Sequence, residues 1–359
     1  MSLLLFAGVA AESPEESPSP EGESSEALVG RVRLPSGEPA AGARVAVCGV
    51  GGQVVLSQGI LRAAPGQPLI EADSNGEFTL TEPPPAGLMI GHDAGFAWLT
   101  AGEFLDRPEI ALEAWGRVTG EVRVGRQAAP AIEVVLVTAW STRPLDESAR
   151  LEYSIRSDDL GRFIFDRVPP RWFEVGYLID TGPERTPTSL RPVLVRPGET
   201  HELTLGGSGR PVIGRFTAPT GSTAPATFKY GRRVLETAEP EPPLPPDHRQ
   251  MRASEVSRWQ ADWFRSPEGR EARERFRHDL NRRTFAFKIE PDGTFRIENV
   301  LEGRYRLQVV VEAEPVPGEP WRALAAYLGE ATVPAIPGGQ SEAPLDLGEL
   351  SLETMPTLK

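Results

Sequence analysis

The chain has 359 residues and a net charge of −13, a length that suggests two or three domains. Gly and Pro, 36 of each, interrupt helix interiors and argue against a helical bundle, while 39% hydrophobic residues suffice for packed cores. One cysteine, Cys48, excludes an intrachain disulfide framework and a cysteine-based zinc site, and the acidic balance excludes nucleic acid as an expected partner.

Residues 3–11, LLLFAGVAA, read either as an incomplete secretory signal, since no Lys or Arg precedes them, or as an ordinary apolar N-terminus. Residues 12–27 carry six Glu among Pro and Ser and no basic residue, so residues 1–27 are expected to be an apolar stub followed by a disordered acidic tether. No segment has the apolar length of a membrane helix. These features point to an extracytoplasmic location.

Beyond the tether one local pattern recurs three times. It opens with a strand that carries a glycine: Val29-Gly30-Arg31-Val32, Thr119-Gly120-Glu121-Val122 and Ile213-Gly214-Arg215-Phe216. A hairpin follows each: Asp73-x-x-Gly76-x-Phe78, Asp158-x-x-Gly161-x-Phe163 and Glu290-x-x-Gly293-x-Phe295. An acidic side chain can cap such a turn through backbone N–H groups, and glycine supplies the positive φ that closes it. Alternation continues in Phe163-x-Phe165 and Phe295-x-Ile297, as half-buried strands require. Closing strands are expected at Ile110-x-Leu112, Leu203-x-Leu205 and Leu345-x-Leu347.

The third copy is longer than the others. Its extra residues form a Pro-rich run at 240–246 and a helical stretch at about 254–283. Ser254 and Ser266-Pro267 are the expected N-caps, and Val256, Trp259 and Trp263 share a helical face.

The string Gly30-Arg-Val-x-x-Pro-x-Gly37-x-Pro-x-x-Gly42-Ala-x-Val45, with Asp73-x-x-Gly76-x-Phe78, resembles the carboxypeptidase regulatory-like domain family, related to collagen-adhesin B-type repeats. That resemblance implies mainly-β, Greek-key, prealbumin-like (Ig-like) sandwiches, here three in tandem at about 28–114, 115–206 and 207–353. The last would carry the helical insertion at about 240–283, and 354–359 would be a tail. It further implies accessory modules of exported or cell-surface bacterial proteins, often beside peptidase or thioredoxin-like domains. The short connections Glu113-Ala-Trp115-Gly116 and Gly206-Gly-Ser-Gly209 are expected to join the modules into a semi-rigid rod.

Catalytic patterns are missing from the sequence. No His-x-x-Glu or His-Glu-x-x-His pair exists, and the Gly-x-Ser-x-Gly elbow fails at Arg210. Cys48 has no partner and reads as strand packing. Oxygens at the hairpins are too few for calcium, so no metal and no cofactor is expected. A Lys–Asn isopeptide is conceivable only in the third copy, between Lys229 or Lys288 and Asn299.

Two surfaces remain as binding candidates. Trp140, Trp172 and Tyr177 lie in or beside strands, where they either stack on sugar rings or fill a core. The insert holds ten Arg and six acidic residues between Arg249 and Arg283, around Trp259, Trp263, Phe264 and Arg265. It reads as a docking surface for a protein partner, or as a helix that lays its Trp face over the third sandwich; the shared face favours the second. The expected function is a non-catalytic scaffold of adhesion type. The alternatives are a carbohydrate-binding protein or the accessory region of a peptidase or thioredoxin-like enzyme.

Overall fold

The computed structural model describes residues 27–49, 53–63, 66–67, 69–138, 149–183, 185–219, 228–239, 242, 251–316 and 322–355. The apolar stub at 3–11 and most of the acidic tether lie outside the described residues.

The recurring pattern builds the same three-strand unit three times, joined in the second sheet by a fourth, short strand Gln127–Ala128. In each, the opening strand is central, the hairpin strand pairs with it antiparallel, and the closing strand pairs with it parallel. The first sheet is Glu77–Leu80, Leu28–Arg33, Glu109–Ala111; the second is Arg162–Val168, Gly116–Val124, Thr200–Gly206; the third is Thr294–Val300, Arg210–Thr217, Leu345–Ser351. The sequence spacing has a register explanation. The aromatic after each hairpin glycine sits directly opposite the opening-strand glycine: Phe78 opposite Gly30, Phe163 opposite Gly120, Phe295 opposite Gly214. The ring lies flat over the glycine, and a Cβ there would meet ring atoms at 2.3, 2.7 and 2.8 Å respectively.

The hairpin glycines have positive φ of 75°, 77° and 87°, and their carbonyls accept from Val32 N, Val122 N and Phe216 N on the opening strands. Asp73 Oδ1 accepts from Asn75 N and Glu77 N, and Asp158 Oδ1 from Leu160 N and Arg162 N. In the third hairpin the expected cap Glu290 is replaced by Asp292, whose Oδ1 accepts from Thr294 N, while Glu290 pairs with Lys288. The hydroxyl of Thr294 holds the Asp292 carboxyl below the usual range. Asp158→Ala is expected to cost roughly 1 kcal/mol in chemical denaturation, because two charge-assisted hydrogen bonds to a turn are lost in solvent.

These small sheets pack against larger ones. The first faces a five-stranded sheet ordered Glu113–Ala114, Gly95–Thr100, Gly87–His92, Arg44–Cys48, Ile70–Glu71. The other two face a single eleven-stranded sheet. Its order is Glu353–Thr354, Ala323–Val333, Gly303–Glu312, Arg233–Thr237, Thr284–Ala286, Arg185–Leu194, Trp172–Asp180, Glu133–Thr138, Ala149–Arg156, Val54–Ser57, Ile60–Arg62. The protein is thus a mainly-β chain of packed β-sandwiches with a helical insertion.

Strand pairing, and not the short connections alone, joins the sandwiches. Leu190 pairs with Thr284, and the hairpin of Val54–Ser57 and Ile60–Arg62 adds in parallel to Ala149–Arg156. The cores join as well. In the strand Arg44–Cys48, Val45 packs in a cluster with Val32 and Phe78, while Ala46 and Cys48 on the other face pack with Phe165 and Phe173. Cys48 is fully buried there, and burial pushes its thiol up to about 11. Trp98 stacks under the Arg171 guanidinium at 4.1 Å. The connections themselves are packed: Trp115 Nε1 donates to His92 O at 2.8 Å, and a Cβ on Gly206 would sit 2.0 Å from Arg123 O.

One element has no counterpart in the sequence reading. Helix Ala101–Asp106 begins with a capping box, in which Glu103 N donates to Thr100 Oγ1 and Thr100 N donates to Glu103 Oε2. It carries Phe104 into the first core, 5.9 Å from Phe78. Thr354, placed in the tail, instead pairs with Ala325.

Candidate functional site

The insertion folds as two helices, Ala253–Arg265 and Pro267–Arg277. The first is capped two residues before the expected Ser254: Arg252 holds the cap position, and its N–H donates to Glu255 Oε2 at 2.7 Å. Ser266 is the joint. Its N–H donates to Asp262 O and Trp263 O, ending the first helix, and its Oγ accepts from Gly269 N at 3.1 Å, starting the second. Pro267 follows at the first helical position, as expected. Gly269 lets the helices close: a Cβ there would lie 2.0 Å from Trp263 O.

Trp263 and Phe264 meet edge to face with centroids 5.1 Å apart, and the Arg273 guanidinium lies 4.2 Å over Phe264. Trp259, Trp263 and Phe264 are half-buried; Arg265 is exposed and pairs with Asp262 at 2.8 Å. None of the three aromatics belongs to a buried core cluster or packs against one. The two helices pack on each other.

The segment at the end of the second helix ties the insert to the second sandwich. The His278 imidazole stacks on Trp172 with centroids 4.6 Å apart and an interplanar angle of 17°. Arg282 forms an ion pair with Glu174, and both side chains are largely buried, at 14% and 9% exposure. Burial raises the Glu174 carboxyl and Arg282 opposes that shift. Trp172 and Glu174 lie on Trp172–Asp180, in the middle of the long sheet, so this segment reaches the second sandwich, while Arg283 N donates to Thr237 Oγ1 in the third.

The sugar-stacking candidates fare differently from one another. Tyr177 is 8% exposed inside a core, where its oxygen accepts from Ser189 Oγ at 3.3 Å, so it offers no ring face to solvent. One face of Trp172 is covered by His278. Trp140 lies outside the described residues. The isopeptide candidates are apart as well. Asn299 accepts from Gly125 N at 3.2 Å and donates to Arg123 O at 3.3 Å, whereas Lys288 pairs with Glu290 and Lys229 with Glu314. Asn299 is thus a clamp between the second and third sandwiches.

Groups that resemble catalytic ones are engaged in structure. His92 Nδ1 accepts from Ala94 N, and His201 Nε2 accepts from Arg196 N. Among the described residues, no three His, Cys, Asp or Glu side chains group as metal ligands, and no helix is long and apolar enough to cross a membrane.

The architecture defines a β-sandwich protein with a helical insertion. No protein-family model and no curated protein matches the chain. Among solved structures it is similar to the Bacillus anthracis TIE protein, with 10% identity and a TM-score of 0.22 over 92% of this chain and 51% of that one. The chain therefore spans about half the length of that neighbour. It is also similar to GBS52, the minor pilin of Streptococcus agalactiae, with 13% identity and a TM-score of 0.24 over 68% of this chain and 98% of that one. A streptococcal ancillary pilin gives 11% identity and a TM-score of 0.20 over 80% of each chain. Backbones at these scores do not superpose as one fold, so the likenesses carry no argument about this chain.

Proposed function

We propose that the protein is a non-catalytic, extracytoplasmic scaffold of adhesion type. Its modules, at about 28–114, 115–206 and 207–353 and related to carboxypeptidase regulatory-like domains, would hold the helix pair out to a protein partner. The observation that carries this reading is the half-buried set Trp259, Trp263 and Phe264, with Arg265 and Arg273 beside it, on an insert tied to the eleven-stranded sheet shared by the second and third sandwiches. Trp and Arg dominate interface hot spots because they combine large apolar area with directional charge. A continuous sheet transmits load and orientation better than flexible joints. The apolar residues 3–11 and the acidic tether support export.

The test places a photo-crosslinking residue at position 259 or 263 of the full chain in its source cell, with Leu328 as an exposed apolar control. One discrete protein adduct from the helix positions, absent from the control and lost in Trp259→Ala/Trp263→Ala, supports the reading. No adduct, together with a saturable tryptophan-fluorescence response of the purified chain to a soluble polysaccharide, overturns it in favour of a carbohydrate-binding protein.

A further inference from the structure

At the junction of the second and third sandwiches the floor of the seam is cationic. Arg191, on Arg185–Leu194, sits opposite Val175, so its side chain points to the core side of the long sheet. Arg283 enters from the segment that follows the helix pair. Both line a cavity of about 50 Å³ together with Ser189, Thr204, Ser208 and Asn299. Among the described residues neither guanidinium has an ion-pair partner, although Asp279 and the Tyr305 hydroxyl act on Arg283 from a distance. Arg191 Nη1 reaches only Thr204 O, at 3.4 Å, and its Nε is buried without a hydrogen-bond partner. Arg283 Nη1 donates to Leu280 O and Arg282 O.

Two half-buried like charges beside one small polar cavity repel each other, and an anion between them would offset that cost. Burial lowers Arg191, and burial with the nearby Arg191 charge lowers Arg283 to about 10; guanidinium groups keep their charge in proteins. The backbone around the cavity is strained: Ser189 and Asn299 hold positive φ of 50° and 60°, two of the four non-glycine residues that do so among the described residues. Strain of this kind persists where the surroundings fix a binding geometry.

We propose that this seam cavity binds the carboxylate group of a ligand between Arg191 and Arg283. A planar guanidinium fork matches a planar carboxylate, and Ser208 and the Asn299 amide supply further donors. The space, enough for about three or four waters, accepts a carboxylate but crowds a tetrahedral phosphate ester. The rest of the ligand has room on both sides. A groove of about 240 Å³ beside Arg196 and His201 shares the wall of Arg191, and one of about 620 Å³ beside Arg304 and Asp279 shares Ser208. This site is independent of the helix-pair surface.

The experiment is thermal unfolding and titration calorimetry of the full chain with sodium acetate, sodium chloride and inorganic phosphate at fixed ionic strength. Triglycine as free acid and as C-terminal amide forms a second arm. The expected result is a saturable rise in Tm and saturable heat with acetate and with the free-acid peptide, but not with chloride, phosphate or the amide. Tighter binding of the peptide acid than of acetate assigns the carboxylate to a chain terminus; equal binding assigns it to a free acid. Arg191→Gln should weaken acetate at least about tenfold, as loss of a charged hydrogen bond does, while Arg258→Gln, the same charge change on the helix pair, leaves it within about twofold. If Arg191→Gln does not fold, Arg191→Lys, which keeps the charge and removes the fork, should show the same weakening. No response to either carboxylate, an equal response to chloride or phosphate, or an unchanged response in the Arg191 variants would overturn the proposal.

Discussion

Arg282→Met should destabilise the protein by about 3–5 kcal/mol in urea denaturation at neutral pH, the range expected when one member of a buried ion pair is removed. The reason is the carboxylate left behind. Glu174 is 6% exposed in the middle of the long sheet, and burial already raises it despite Arg282. Without the guanidinium nothing opposes that shift. A carboxyl raised in the folded state holds its proton more tightly there than in the unfolded chain. Its contribution is therefore fully present below the unfolded value and is lost as pH rises through the raised folded value. The deficit of Arg282→Met should shrink as the pH is lowered toward the unfolded value of Glu174. The double change Glu174→Gln/Arg282→Met should recover much of the loss at neutral pH, because no buried charge remains. An Arg282→Met deficit that is below 1 kcal/mol, or independent of pH, would show that the pair is hydrated and that the insert is anchored elsewhere. The same variant should loosen the helix pair, since Arg282 and His278 are its attachment to the second sandwich.

Gly120→Ala should cost about 3 kcal/mol, at the upper end for overpacking a core, although Ala is the smallest possible addition. The new Cβ would sit 2.2 Å from Leu203 O on the closing strand and 2.7 Å from the Phe163 ring. The carbonyl belongs to the parallel ladder that binds opening to closing strand and cannot step aside without breaking it. Gly214→Ala meets a ring carbon at 2.8 Å and a carbonyl only at 3.2 Å, so it should cost less. Denaturation midpoints of the two variants rank the effects. An order with Gly214→Ala worse would mean that the ring, rather than the parallel strand, limits the space. As a control, Gly125→Ala has nothing within 4 Å of its Cβ and should show only the modest cost of positive φ, here 56°.

The three-strand units were legible because every feature of their pattern has a local physical cause. Hairpin glycines need positive φ, capping aspartates need turn N–H groups within four residues, and alternation reports one buried face. The spacing of glycine and aromatic was legible as a repeat, but its cause, the ring laid over the opposite glycine, appears only in the register. Helix Ala101–Asp106 was missed although Thr100-x-x-Glu103 marks its start. Shared helical phase shows that Trp259 and Trp263 lie together, not what they lie against.

By itself the sequence determined the mainly-β class, the hairpins, the opening and closing strands and the two-helix insert with its Ser266-Pro267 joint. All of these rest on interactions between residues close in the chain or on simple periodicity. Only the tertiary structure decided that Leu190 pairs with Thr284, that Val54–Ser57 extends the sheet of the second sandwich, and that Ala46 and Cys48 face a different core from Val45. It also decided that Arg282 meets Glu174 and that Arg191 shares a cavity with Arg283. The residues in each of these pairs stand nearly a hundred positions apart, or face both ways on one strand. No local propensity encodes them; they follow from burying apolar faces and satisfying backbone groups once the sandwiches come together.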